Sequence, residues 1–217
     1  GQVGDTDVDF GHLSPKLGAT YMFSAALNVF AAYNHAFRAP SEGQLFRPAV
    51  AGSAGAATAA AEASRNLKPI KVDSFEIGLR GKLNAAINYD IAAYYMTKTD
   101  DILNYRDPVT NLSTPTNAGK TLHRGIEIGA GAQLAELWRL DTAFSYAKHT
   151  YEDWIVATQG GNVSYSGNEM ELAPRSIANT RLTFGNARTG MAQLEWLHFG
   201  SWWSNAANTS KYEGHDL

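Results

Sequence analysis

The chain has 217 residues, 44% of them apolar, with 18 Lys and Arg against 21 Asp and Glu for a formal charge of −3, and no cysteine. This is the composition of a folded chain; it excludes a disulfide framework, a thiolate nucleophile and a cysteine-ligated metal, and gives no overall electrostatic attraction to nucleic acid. No apolar run reaches the roughly 18 residues of a membrane-spanning helix, whereas a spanning strand needs only about 9–11 alternating residues.

In chain order, His12–Tyr21 reads as a first strand with Pro15 at an edge or start position, and residues 24–26 turn it back. Leu27, Val29, Ala31 and Tyr33 then share one face until Arg38-Ala39-Pro40 ends the run. Residues 41–69 form a long polar and alanine-rich connection, in which Ala54–Ala63 has the propensity for a short helix. Strand character resumes at Lys71, where Phe75, Ile77, Leu79 and Leu83 oppose Ser74, Glu76, Arg80 and Lys82. A tight turn near Asn84 leads to the clearest alternation in the chain, with Ile87, Tyr89, Ile91, Ala93 and Tyr95 on one side and Asn88, Asp90, Ala92 and Tyr94 on the other.

A second polar loop is expected over Asp101–Asn117 before a strand through Ile126, Ile128 and Ala130. A short link over Ala135–Trp138 precedes Leu140, Thr142, Phe144 and Tyr146, and a third long loop over Tyr151–Pro174 precedes a strand over Ser176–Phe184. Asn186–Thr189 is a short turn, Met191–Trp202 a further strand, and Lys211–Leu217 reads as a strand cut off midway.

These nine strands are joined by connections that alternate short and long. In an antiparallel meander all short turns therefore gather at one end and all long loops at the other, the asymmetry of an outer-membrane barrel. Tyr21, Phe23, Trp138 and Phe184 near the short turns, and Tyr33, Phe37, Tyr95, Tyr146 and Trp202 near the long loops, form two interfacial girdles on this reading. The competing reading is a soluble β-sandwich binding module, in which Ile87, Tyr89 and Ile91 pack against a second sheet.

Four stretches carry a resemblance to a known family: Ser14-Pro15-Lys16-Leu17-Gly18 with Tyr21, Phe37-Arg38-Ala39-Pro40-Ser41, Phe75-Glu76-Ile77-Gly78-Leu79-Arg80-Gly81, and Asn117-Ala118-Gly119-Lys120 with Arg124-Gly125-Ile126-Glu127. Together they resemble the C-terminal part of a TonB-dependent outer-membrane receptor. The resemblance implies an all-β, antiparallel transmembrane barrel of about 22 strands, plugged in its lumen, of which residues 1–217 supply about nine. It also implies a fragment: no secretory leader occupies Gly1–Phe10, and the plug domain, the energy-coupling segment and the terminal strands are expected outside the sequence.

The function the resemblance implies is active import of a ferric siderophore or similar metal chelate across the outer membrane, energised through TonB by way of the plug. Lipid and lipopolysaccharide are the surroundings it implies. A haem or cobalamin receptor of the same family is the alternative; no histidine lies between His35 and His123, which leaves His149 as the candidate haem ligand. For an anionic, often aromatic chelate the loops offer Arg38, Arg47, Arg65 and Arg106 for charge-assisted hydrogen bonds, and Tyr105, Trp154 and Tyr165 for flat apolar contact. Glu76, Arg80, Asn88, Asp90, Glu127 and Arg181 are expected on the lumen side, hydrogen-bonding the plug.

No enzyme motif is present. There is no His-Glu-x-x-His or Gly-x-Ser-x-Gly, Leu134 breaks the dinucleotide pattern begun by Gly129 and Gly131, and the acidic pairs Asp100-Asp101 and Glu169/Glu171 read as solvated carboxylates.

Overall fold

A computed structural model describes residues 8–24, 26–46, 64–106, 113–158, 160–186, 188 and 190–217, and for residues 104–106, 113, 114, 118, 157 and 158 the backbone alone. The expected helix over Ala54–Ala63 lies outside the described residues. The strands are β1 (Lys16–Ser24), β2 (Leu27–Arg38), β3 (Ile70–Lys82), β4 (Ile87–Arg106), β5 (Ser113–Ala135), β6 (Trp138–Asp153), β7 (Ile155–Thr158), β8 (Gly161–Ser164), β9 (Ser176–Asn186), β10 (Gly190–Phe199), β11 (Trp202–Trp203), β12 (Lys211–Tyr212) and β13 (His215–Asp216), with one helical turn α1 (Glu42–Leu45) after β2.

Nine strands form one open antiparallel sheet in the order β1-β2-β3-β4-β5-β6-β9-β10-β13. Two small hairpins, β7-β8 and β11-β12, sit in the long connections. The chain is a meander because each connection joins neighbours. At one end the links are two to four residues, and polar side chains close them: Asn84 Oδ1 accepts the N–H groups of Ala86 and Ile87 at 2.8 and 2.9 Å.

Register decides which side chains share a face. Leu17↔Tyr33, Ala31↔Ile77, Ile77↔Ala93, Ile91↔Ile128, Ile128↔Phe144, Leu140↔Leu182 and Leu182↔Leu194 put the apolar set on one face. That face is bare: Ile77 is 59% and Leu194 71% exposed. No second sheet covers Ile87, Tyr89 and Ile91, so the sandwich arrangement is absent among the described residues, where substantial strand contacts join sheet neighbours only. An uncovered apolar face this wide is the outer wall of a barrel in lipid.

The opposite face is polar. Arg80↔Asp90, Asp90↔Gly129 and Asp141↔Arg181 run across five strands, and Glu76 faces Tyr94, so Glu76, Arg80, Asn88, Asp90, Glu127 and Arg181 all share the lumen side. Gly78 is on this side for a steric reason. The Phe30 ring and the Ile91 carbonyl occupy the space a Cβ would need, and Arg80 lies over the same ring, 4.9 Å from its centroid.

On the bare face Trp138 and Phe184 meet across strands, with ring centroids 4.8 Å apart, at the short-turn end. Tyr33, Phe75 and Tyr95 form a row towards the other end, and Tyr146 is eight residues up β6 from Trp138. Eight residues at about 3.3 Å each, tilted by about 40°, give a band of roughly 20 Å between the aromatic rows, near the apolar height of such barrels.

Several boundaries differ from the sequence reading. β1 starts after Pro15, which has no N–H to give the ladder, although its carbonyl still accepts from His35 N–H at 2.9 Å. The polar stretch expected as a loop over Asp101–Asn117 is mostly strand: β4 and β5 pair from Thr99↔Lys120 out to Arg106↔Ser113. Backbone groups make the ladder, and above the apolar band polar side chains cost a strand nothing. β6 likewise continues to Asp153, and the loop after it holds β7 and β8. Trp202 leaves the main sheet and stacks on Tyr212 in the β11-β12 hairpin, 4.3 Å between centroids, so it is no part of the girdle. The segment expected as one last strand is two short ones, β12 and β13, divided by Gly214 at φ +89°.

Candidate functional site at the outer rim

Above the upper aromatic row the described parts of the long connections pack into two clusters, and the buried residues concentrate there. The first connection is pinned by Leu45 of α1, Leu67, Ile70 at the start of β3 and Ile102 of β4, with Phe10 and Val72 against them. Ser41 opens α1, its N–H donating to Gln44 Oε1 at 2.9 Å. Asn117 fastens this connection to the β4-β5 hairpin: its Nδ2 donates to the carbonyls of Asp100 (2.7 Å) and Lys68 (3.1 Å), and its Oδ1 accepts Lys68 N–H at 2.9 Å. Gly119 beside it has the Asp153 side chain where a Cβ would go.

The third and fourth connections share a second core. Tyr151 (2% exposed), Trp154 (3%) and Val156 are packed with Leu103, Tyr165, Met170 and Ala206. Asn208, at φ +54°, bridges the two connections by donating to the Glu169 carbonyl at 2.8 Å and accepting Glu169 N–H at 2.8 Å. The Glu169 carboxylate pairs with Arg175 through both of its oxygens. That guanidinium holds the Glu169 carboxyl below the usual carboxylate range, and the carboxylate in turn raises Arg175.

The proposed ligand contacts separate on this frame. Arg38 is exposed at the outer end of β2 and Arg65 is half-buried shortly before β3. Tyr105 and Arg106 end β4, with Tyr105↔Thr114 and Arg106↔Ser113 in register; Arg47 lies outside the described residues. Trp154 and Tyr165 come together, ring centroids 4.9 Å apart, but as parts of the rim core. Trp154 is buried rather than presented, and its Nε1 has no hydrogen-bond partner among the described residues.

Two acidic residues expected to be solvated are not. Asp101 is 5% exposed and accepts from Thr121 Oγ1 at 3.0 Å, while Glu169 is half-buried in its Arg175 pair. His149 is not a lone histidine either: its Nδ1 lies 2.8 Å from Nδ1 of His123. Sequence spacing did not reveal that pair, because the two positions are 26 apart and meet only through the β5-β6 register His123↔His149.

Residues 1–217 match the family model described as TonB dependent receptor-like, beta-barrel. The chain belongs to that family. TonB-dependent receptor barrels lie in the outer membrane, and this chain is accordingly an outer-membrane β-barrel protein. It is 23% identical over 211 residues to a ferrioxamine receptor from Yersinia enterocolitica, covering 95% of this chain and 25% of that protein. Among solved structures it resembles the siderophore receptor PiuA from Acinetobacter baumannii (TM-score 0.67, 15% identity, 93% of this chain and 28% of that one). It also resembles the ferric yersiniabactin uptake receptor FyuA from Yersinia pestis (TM-score 0.62, 20% identity, 93% and 28%). The TonB-dependent receptor barrel seen here thus spans about a quarter of the length of the curated relative.

Proposed function

We propose that this chain supplies part of the wall and outer rim of a receptor that imports a ferric siderophore or similar metal chelate, energised through TonB. The observation that carries the reading is the rim itself: the described parts of the long connections, tied together by Asn117 and by Asn208, stand at the end of the apolar wall away from the short turns. The names of its relatives, a ferrioxamine receptor and two siderophore or ferric-chelate receptors, agree with that use. In the complete protein a plug domain would fill the lumen, meeting Glu76, Arg80, Asn88, Asp90, Glu127 and Arg181.

Arg38, Arg47, Arg65 and Arg106 are the cations we assign to an anionic chelate, and Tyr105 and Tyr165 the flat contacts; Trp154 supports Tyr165 from beneath. Lipid and lipopolysaccharide surround the bare face. A cell lacking its other receptors should grow on a ferric chelate when it carries the full-length protein, and lose that growth without TonB. Growth that is independent of TonB, or absent on a broad panel of ferric chelates, contradicts the proposal. In the first case Arg38→Ala should weaken chelate binding by about 1.5–3 kcal/mol, the worth of a charged hydrogen bond.

A further inference from the structure

The lumen side carries an arrangement that chelate capture does not use. Met96 of β4 faces His123 of β5, and His123 faces His149 of β6. Beyond β6 the row continues: Met170 N–H donates to the His149 carbonyl at 2.9 Å, and Thr150 bridges Glu169 antiparallel to it. Two of the chain's four methionines therefore flank two of its six histidines across four adjacent segments. Met170 packs with Tyr151 in the rim core, and both methionines and His149 are half-buried while His123 is buried.

A hydrogen-bond chain sets the tautomer of His123. Thr121 Oγ1, fully buried, donates its single proton to Asp101 Oδ2 at 3.0 Å, and Lys98 Nζ lies 3.8 Å from the same oxygen. The 3.1 Å contact between Thr121 Oγ1 and His123 Nε2 must then be Nε2–H donating. In the neutral imidazole that leaves His123 Nδ1 as an acceptor, and it takes the N–H of His149 Nδ1 at 2.8 Å. A carboxylate that orients a ring through its far nitrogen is the outer-shell device of metal-binding histidines.

We propose that His123 and His149 bind one Cu(I) ion through their Nδ1 atoms, with the Met96 and Met170 thioethers as the soft ligands on either side. Only the proton on His149 Nδ1 stands in the way, and it moves to Nε2 of the same ring, so no net proton is released. Metal–nitrogen bonds of about 2.0 Å put the two nitrogens roughly 3.3 Å apart at a tetrahedral angle, a small parting of the rings. Thioether sulfur selects Cu(I) over the harder divalent ions. Among the described residues no three His, Asp or Glu gather round a metal position, so the proposed set rests on the two imidazoles and on thioethers that strand register brings alongside them.

The test uses the full-length receptor in detergent, titrated with Cu(I) under ascorbate against bicinchoninate. One Cu(I) per chain should be withdrawn from the chelator, with both nitrogen and sulfur scatterers in its X-ray absorption spectrum. His149→Ala should abolish withdrawal; Thr121→Val, which frees the His123 tautomer, should weaken it about 10-fold or more. Met96→Leu or Met170→Leu alone should lower sulfur scattering and the double variant should remove it, leaving the nitrogen shell. Heat-modifiable gel mobility reports that each variant is folded. No withdrawal by the folded wild type, unchanged affinity in His149→Ala, or Zn(II) held in preference to Cu(I) overturns the site. Iron-chelate growth is read separately, so its failure leaves this result standing.

Discussion

The wall between the aromatic rows and the rim above it are built from the same ladder of strands, yet they are inside out with respect to each other. On the wall, Ile77, Phe144 and Leu194 are exposed, and among the described residues no second layer covers them. In the rim, Tyr151 and Trp154 point inward and are almost wholly covered by two connections. The difference teaches that each region answers to its own solvent: the wall exchanges apolar surface with lipid, while the rim must build a water-soluble core of its own.

Truncation in the rim core is the strongest way to break this contrast. Trp154→Ala should cost the rim about 3–5 kcal/mol and raise amide exchange over residues 151–175 while leaving β3 and β4 protected. Trp154→Phe, which removes an Nε1 that has no partner among the described residues, should cost far less. Uniform loss of protection across wall and rim would show that the two are one cooperative unit.

Charge on the wall comes next. Ile128→Lys, on the bare face, should destabilise the protein in lipid vesicles by about 2–4 kcal/mol, whereas Asn88→Lys on the lumen side should be near neutral. Equal urea unfolding midpoints for the two would contradict the assignment of faces. A smaller effect, about 1–3 kcal/mol, is expected for Asn117→Ala, which strands the Lys68 N–H and the Asp100 carbonyl. It should loosen the first connection in amide exchange and leave the third and fourth unchanged.

The smallest effect is one of pH. Glu169 has a folded value below its ordinary 4.5, so its Arg175 pair stabilises the rim fully above that ordinary value. The contribution fades as pH falls through the depressed folded value. Since the Arg175 side chain is 40% exposed the loss is modest, and Glu169→Gln should remove it. Exchange over residues 165–175 should rise in acid in the parent and stay flat in the variant.

Much of the wall was legible because its physics is local: a two-residue period marks a strand wherever one face meets oil, and β3, β4, β9 and β10 fall where that period lies. Above the oil the signal disappears. The Asp101–Asn117 stretch reads as loop from its polarity and prolines, yet its backbone pairs out to Arg106↔Ser113. Of the candidate site, the loops were legible but not the side-chain roles. Trp154 looks like a ligand platform until two distant connections are seen to close over it. His123 and His149 meet through register alone. Asn117 and Gly119 were legible as a motif, and their reason is now visible in the bonds to Lys68 and Asp100 and the close approach of Asp153.

These 217 residues hold no cysteine, so single cysteines can be placed and labelled along β4 and β6 of the full-length protein in a bilayer, with any cysteine elsewhere in it replaced by serine. Quenching of each fluorophore by lipid-borne bromine should alternate with position: strong at Ile91, Ala93, Thr142 and Phe144, weak at Asp90, Ala92, Asp141 and Ala143. Alternation of the opposite phase, or equal quenching at neighbouring positions, would contradict the account.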